Sequence, residues 1–184
     1  MRAAVFLDRD GVIIENRSDY VKSWDEVRFL PQAFEALRRL GQSSYAVVLV
    51  TNQSVVGRRI IPLDRAVEIN RRVVAEIEAV GGRVDAAYLC PHHPEDGCSC
   101  RKPAPGMLLR AAEELELDLA RSYAIGDAAS DLEAARLAGA QGILVLTGRG
   151  NDELASMEGG PSGPVVADLK AAVDYLLAAG KRRP

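Results

Sequence analysis

The chain has 184 residues, of which 48% are hydrophobic and 27% charged. That is ordinary globular composition and argues against disorder. The net charge of −3 disfavours a nucleic-acid binder working through a basic surface, and no apolar run reaches the roughly 18 residues that cross a bilayer.

The length fits a single domain over residues 1–184. The N-terminus runs from Met1 to Leu7 and meets Asp8 at once, too short for a signal peptide, so a cytoplasmic protein is expected. Three cysteines, an odd number, argue against a disulfide framework.

Ala3–Leu7 is a short apolar run without alternation, as a strand buried on both faces should be. Pro31 opens a helical pattern through Ala33, Phe34, Leu37 and Leu40, with Gly41 beyond its end. Tyr45–Val50 reads as a second buried strand ending at Thr51. Leu63–Val80 reads as a helix, with Val67, Ile69, Val73, Val74 and Ile77 as its apolar face. Val84–Leu89 is a third strand. Residues 90–103 break the pattern, being rich in Cys, His, Pro and Gly. Gly106–Leu117 is a helix, Tyr123–Ile125 a short strand, Asp131–Ala138 a helix and Gly142–Leu146 a further strand. Gly148–Pro164 reads as a mobile loop. Val165-Val166 forms a last edge strand and Leu169–Ala179 a closing helix, and Lys181-Arg182-Arg183 reads as a solvated tail. The alternation of strand and helix predicts an α/β fold, a doubly wound parallel sheet with helices on both faces.

In such sheets ligands bind beyond the carboxyl ends of the strands. Strand one ends in Asp8-Arg9-Asp10-Gly11, strand two in Thr51-Asn52-Gln53-Ser54, and the fourth in Gly126-Asp127 with Asp131 close behind. Residues two apart on an extended chain face the same side, so Asp8 and Asp10 should converge while Arg9 points elsewhere. Paired carboxylates resist joint ionisation unless a cation sits between them. With Asp127 they make an oxygen-rich site suited to Mg²⁺, an ion that commonly meets phosphate. Lys102 could neutralise a phosphoryl group as a point charge, and Thr51 and Asn52 could donate hydrogen bonds to its oxygens. Alone, each of these is an ordinary loop residue. Their arrival in sheet order makes the case.

A second constellation lies between Cys90 and Cys100. All three cysteines and both histidines of the chain fall there. Cys90-x-His92 and Cys98-x-Cys100 would give a closed Cys₃His zinc site, structural rather than catalytic because no position is left open. His93 is an alternative to His92.

These residues resemble the haloacid dehalogenase (HAD) superfamily of phosphohydrolases. Phe6-Leu7-Asp8-Arg9-Asp10-Gly11-Val12-Ile13 looks like its first motif, Thr51-Asn52-Gln53-Ser54 its second, Lys102 its third, and Gly126-Asp127 with Asp131 its fourth. The cysteine loop followed by Arg101-Lys102-Pro103 narrows the likeness to the D-glycero-D-manno-heptose-1,7-bisphosphate 7-phosphatase and histidinol-phosphatase subgroup, over Ala3 to about Gly148.

The resemblance implies a Rossmann-like HAD fold, capless, with a zinc-stabilised loop at about residues 90–101. It implies Asp8 as the nucleophile, forming an aspartyl-phosphate, and Asp10 as general acid and base. Mg²⁺ would be held by Asp8, Asp127 and the Asp10 backbone carbonyl, aided by Lys102. Asp131 would orient Lys102 or a metal-bound water. Thr51, Asn52 and Gln53 would meet the substrate, Arg101 a second anionic group, and residues 15–24, including Tyr20, would wall the site. Val55 stands where the subgroup usually has glycine, so a different loop shape is expected near Arg58.

The expected reaction is Mg²⁺-dependent hydrolysis of a small phosphorylated metabolite, first heptose 1,7-bisphosphate, then histidinol phosphate. The acidic balance counts against nucleic-acid ends. A non-enzymatic phospho-acceptor and a zinc-stapled interaction module are the readings from other classes. No membrane partner is expected, and a monomer is.

Overall fold

The computed structural model of the protein describes residues 1–180, so the Lys181-Arg182-Arg183 tail lies outside the described residues. Six parallel strands form one sheet in the order β3-β2-β1-β4-β5-β6, with β1 Ala4–Leu7, β2 Ala46–Asn52, β3 Ala86–Cys90, β4 Tyr123–Gly126, β5 Gln141–Val145 and β6 Val165–Val166. The chain winds outward from β1 to β3, then returns to the other side of β1. The order therefore reverses between β1 and β4, where such sheets open a crevice at their carboxyl ends.

The register sets this crevice. Leu7 of β1 lies beside Leu49 of β2 and Ile125 of β4. Asp8 therefore stands level with Val50 and Gly126, and Thr51 and Asp127 follow one residue later at the same end of the sheet. The amide of Asp8 donates to the Ile125 carbonyl at 3.0 Å, which carries the pairing one residue past the strand.

β1 is buried at every position and divides its side chains between two cores. Val5 and Leu7 pack with α1 (Ala33–Gly41), α3 (Leu63–Ala79) and α7 (Leu169–Gly180). Ala4 and Phe6 face the core that holds α4 (Gly106–Glu114) and α5 (Ala129–Ala138). The sandwich is the one expected of a parallel sheet covered on both faces. The shortest helix before it, α2 (Ser54–Gly57), follows β2 directly.

Several boundaries differ from the sequence reading for local reasons. α1 begins at Ala33, because Gln32 at its N-cap is left-handed (φ 64°), and Gly41 lies inside the helix. On α3, Val67 faces solvent, and the buried face is Ala66, Ile69, Asn70, Val73 and Ile77. The third strand starts at Ala86, not Val84, because the Asp85 carboxylate takes the Val47 amide at 2.8 Å. α4 stops at Glu114; the chain turns at Glu116 (φ 52°) and sends Leu117 into the core beside β1. α5 begins two residues earlier than expected, since Asp131 reaches back to cap the Ala128 amide at 3.1 Å. The segment 148–164 is not all loop, because α6 (Gly150–Ser156) forms within it. Val55 sits in α2, buried and helical, so the absent glycine needs no left-handed residue there.

Phe6→Ala should destabilise the protein by about 3–5 kcal/mol, the usual cost of emptying a buried aromatic site. Denaturant titration should show a lowered midpoint with an unchanged slope.

Candidate active site

Lys102 is the organising cation. Its ammonium lies 3.0 Å from Asp8 Oδ1 and 2.5 Å from Asp131 Oδ1, and it donates to the Val50 carbonyl at 2.9 Å. The residue is 4% exposed. Burial opposes its charge, but Asp131 and Asp8 outweigh that and hold its pKa above the ordinary lysine range. The backbone that delivers it is pinned by Asn52, whose Nδ2 donates to the Lys102 carbonyl at 3.0 Å while its Oδ1 accepts the Lys102 amide at 3.1 Å.

Asp8, Asp127 and Asp131 each offer an oxygen within 4.8 Å of the others. When all are ionised, three carboxylates against one ammonium leave a surplus of two negative charges, which matches a divalent cation. Asp127 is 1% exposed. Its Oδ2 accepts the Arg149 amide at 2.8 Å, whereas its Oδ1 is buried without a hydrogen-bond partner. Burial, with the charge of Asp8 added, pushes its pKa up to about 7. Such an orphaned oxygen beside further carboxylates is what a hard cation completes, so the residues fit Mg²⁺.

Two glycines set the shape around Asp127. Gly11 (φ 84°) and Gly148 (φ 57°) are both left-handed, and a Cβ on either would stand 2.1 or 2.2 Å from Asp127 Oδ2. Thr147 Oγ1 donates to the Gly11 carbonyl at 2.6 Å, which ties the two loops together. The turn 147–149 was missed as a functional segment. The signal for it was its place at the carboxyl end of β5, one strand beyond Asp127.

Asp8 and Asp10 both line the one cavity, as expected, but their carboxylates take different partners. β1 ends at Leu7, so the period-2 argument no longer holds at Asp8 to Asp10. Asp8 turns to Lys102, and the Asp10 carboxylate turns to Arg9 (Nη2–Oδ2 2.9 Å) and to Gln53 Nε2 (2.9 Å to Oδ2). Arg9 stays out of the cavity, as expected, though its guanidinium turns back to Asp10, and Gln53 meets Asp10 as well as the cavity. The Asp10 side chain is not among the clustered acids.

An open cavity of about 750 Å³ lies over these groups, lined by Asp8, Asp10, Lys102 and Asp131. Asn16, Arg17, Ser18, Tyr20 (φ 66°) and Val21 form one wall, and Pro94, Gly97 and Cys98 another. Asn52, Gln53, Arg58, Arg101 and Arg149 also line it. Arg101 Nη1 is buried and has no hydrogen-bond partner. Thr51 does not reach the cavity lining; its hydroxyl accepts from Gln53 Nε2 at 2.9 Å.

The cysteine loop closes beside this cavity. The three thiols stand 3.2, 3.6 and 3.7 Å apart, and His92 Nδ1 lies 3.2 Å from Cys100 and 3.5 Å from Cys90. A zinc tetrahedron with Zn–S bonds of ~2.3 Å has sulfur edges of ~3.8 Å, so the set fits that ion. The thiols are free, far beyond bonding distance. His93 is not one of the set: its Nδ1 accepts the Glu95 amide at 3.3 Å and caps the short turn Pro94–Asp96. Burial pushes the Cys90 thiol up to about 12, so this sulfur would ionise at neutral pH only with a metal bound.

A family model described as HAD-hydrolase-like matches residues 99–172. A D-glycero-β-D-manno-heptose-1,7-bisphosphate 7-phosphatase of Bordetella bronchiseptica is 43% identical over 94% of this chain and 97% of its own length. The chain belongs to the D-glycero-β-D-manno-heptose-1,7-bisphosphate 7-phosphatase family. Another member, from Pseudomonas aeruginosa, is 40% identical over 96% of this chain and 98% of its own. The solved structure of the B. bronchiseptica D,D-heptose 1,7-bisphosphate phosphatase, complexed with magnesium and phosphate, superposes with a TM-score of 0.90 at 42% identity, covering 96% of this chain and 99% of that one. The Burkholderia thailandensis enzyme gives 0.73 at 34% identity, over 96% and 99%. Among the described residues, no helix is long and apolar enough to cross a membrane.

Two outcomes follow from the metal clusters. Mg²⁺ requires Asp127 ionised, and its carboxyl in the metal-free protein is protonated below about pH 7. Mg²⁺ affinity should therefore fall as pH drops through that value, and calorimetry in buffers of different ionisation enthalpy should detect proton release at pH 6 but not at pH 9. The parent protein should carry stoichiometric zinc by elemental analysis, and Cys100→Ala should purify without it and with a lowered melting temperature.

Proposed function

We propose that this protein is a Mg²⁺-dependent phosphatase that removes the 7-phosphate of D-glycero-β-D-manno-heptose 1,7-bisphosphate through an aspartyl-phosphate. The observation that carries the mechanism is the buried Lys102 ammonium between Asp8 and Asp131, next to the unpartnered oxygen of Asp127. The substrate rests on the likeness to the Bordetella and Pseudomonas enzymes along nearly the whole chain.

Asp8 attacks phosphorus, and the phosphoryl group passes to its carboxylate as the bond to the leaving oxygen breaks. Lys102 orients Asp8 and offsets the repulsion between a carboxylate and a phosphate dianion. Asp8 and Asp127 would hold Mg²⁺ with the Asp10 backbone carbonyl; the ion supplies charge neutralisation at the phosphoryl oxygens. Asp10 gives a proton to the leaving alkoxide, then takes one from the water that hydrolyses the intermediate. Asp131 holds Lys102. Asn52 acts by pinning the Lys102 backbone, and Thr51 by seating Gln53. Arg101, with an unpartnered Nη1, receives the second phosphate of the substrate. Tyr20 and the zinc loop wall the cavity. The proposal includes a single capless domain acting as a cytoplasmic monomer, with no nucleic-acid or membrane partner.

Phosphate release from heptose 1,7-bisphosphate and from histidinol phosphate, measured side by side with Mg²⁺, tests the reading. Release from the bisphosphate should dominate and vanish in Asp8→Asn; a preference for histidinol phosphate would keep the mechanism and overturn the substrate. Arg101→Ala should raise KM for the bisphosphate by about tenfold or more, the worth of one charge-assisted hydrogen bond. It should leave KM for a heptose monophosphate unchanged.

A further inference from the structure

We infer that Arg9 is a positioning residue for Asp10: its guanidinium, together with the Gln53 amide, forms the seat from which that carboxylate transfers protons. The inference rests on the proposed role of Asp10 as general acid and base.

Arg9 is 1% exposed and heads the largest fully buried side chains of the described residues. A buried guanidinium is costly unless it is paired, and an apolar side chain of similar size would fill the same space without that cost. Here the pairing is to one carboxylate, that of Asp10, while Nη1 is left without a hydrogen-bond partner. So incomplete a set of partners is a poor way to stabilise a core. It is a good way to hold one carboxylate.

The geometry of the hold is specific. Arg9 Nε donates to Asp10 Oδ2 at 3.1 Å, and Nη2 reaches Oδ1 at 3.2 Å and Oδ2 at 2.9 Å. Gln53 Nε2 adds a donor to Oδ2 at 2.9 Å. Gln53 is itself fixed: its Nε2 also meets Thr51 Oγ1 at 2.9 Å, and its amide donates to the Cys90 carbonyl at 2.7 Å. Oδ2 is thus saturated with donors. Oδ1 keeps a single long contact, which leaves it the oxygen freer to exchange a proton. Asp10 and Gln53 line the cavity, whereas Arg9 does not, so Arg9 acts through Asp10 and not on the substrate.

In the first step the bond from phosphorus to the leaving oxygen breaks and the proton of Asp10 Oδ1 passes to that oxygen. The negative charge left on Asp10 forms between donors already in place, which lowers the cost of proton transfer. In the second step water gives its proton back to Asp10 as its oxygen attacks the phosphorus of the aspartyl-phosphate, freeing phosphate and Asp8. Nothing further is consumed.

A leaving group that needs no proton should be indifferent to this seat. The test is the single-turnover release of alcohol from two substrates in Arg9→Met: heptose 1,7-bisphosphate (or histidinol phosphate, if that is the better alkyl substrate) and p-nitrophenyl phosphate. Release from the alkyl phosphate should slow by ~10²-fold, within the range that general acid catalysis supplies. The p-nitrophenolate burst should keep its rate and the alkyl KM should not move. If the two losses differ by less than ~10-fold, the selective effect required of general acid catalysis is missing and the inference fails. Gln53→Leu leaves the Arg9–Asp10 pair intact and covers the case in which Arg9→Met does not fold; it should show the same selectivity to a smaller degree, and equal losses on both substrates would again overturn the inference. Asp10→Asn separates the two readings. If it is selective and Arg9→Met is not, Asp10 keeps its role and Arg9 loses its own. If Asp10→Asn is not selective, the role of Asp10 itself falls.

Discussion

One buried ammonium holds the catalytic end of the sheet together. Lys102 joins the end of β1 through Asp8, the start of α5 through Asp131 and β2 through the Val50 carbonyl. A cation so deeply placed is tolerable only because two carboxylates surround it, and those carboxylates are tolerable only because the cation is there. Removing Lys102 would leave both carboxylates uncompensated out of water. The cost of that arrangement explains why Asn52 grips the Lys102 backbone from both sides: the side chain must arrive at one place. The same arrangement keeps Asp8 oriented beside the cavity, while Asp127 Oδ1 close by is buried without a partner.

Much of this was legible from residue order alone. Asp8, Thr51, Lys102 and Asp127 stand at or beside the carboxyl ends of successive strands, and the sheet brings such ends together whatever their separation in sequence. The cysteine loop was legible for a different reason: four ligands at paired spacings leave little freedom about what they surround. Side-chain directions were not legible. The two-residue period holds only on an extended chain, and the strand stops at Leu7, so Asp10 and Arg9 face each other where alternation would have parted them. Asn52 and Thr51 have the chemistry of phosphate donors, yet both are used within the protein. Those internal contacts are tertiary and the sequence does not display them. The turn at Gly148 hid in a stretch whose composition reads as loop, because its part in the site comes from backbone groups rather than from a recognisable side chain.

The cysteine loop does more than wall the cavity. It has only a short turn of regular structure, Pro94–Asp96, and its position depends on the Cys₃His cluster. Arg101 follows Cys100 directly, and the Cys90 carbonyl accepts the Gln53 amide. A wall residue and a residue touching Asp10 are both tied to the same cluster, so a structural metal there would position one relative to the other.

The turn that closes on Asp127 also fixes when the site can exist. Its parts are spread from Asp8 to Arg149, and the last of them to leave the ribosome supplies the amide on Asp127 Oδ2. A nascent chain that has emerged as far as Asp127 carries every acid of the cluster but Asp131, and it lacks the Arg149 amide that Asp127 Oδ2 accepts. Domains gain their structure as units during synthesis. The site is therefore completed late, after about four-fifths of the chain has been made, and a polypeptide cut short before Arg149 lacks part of it.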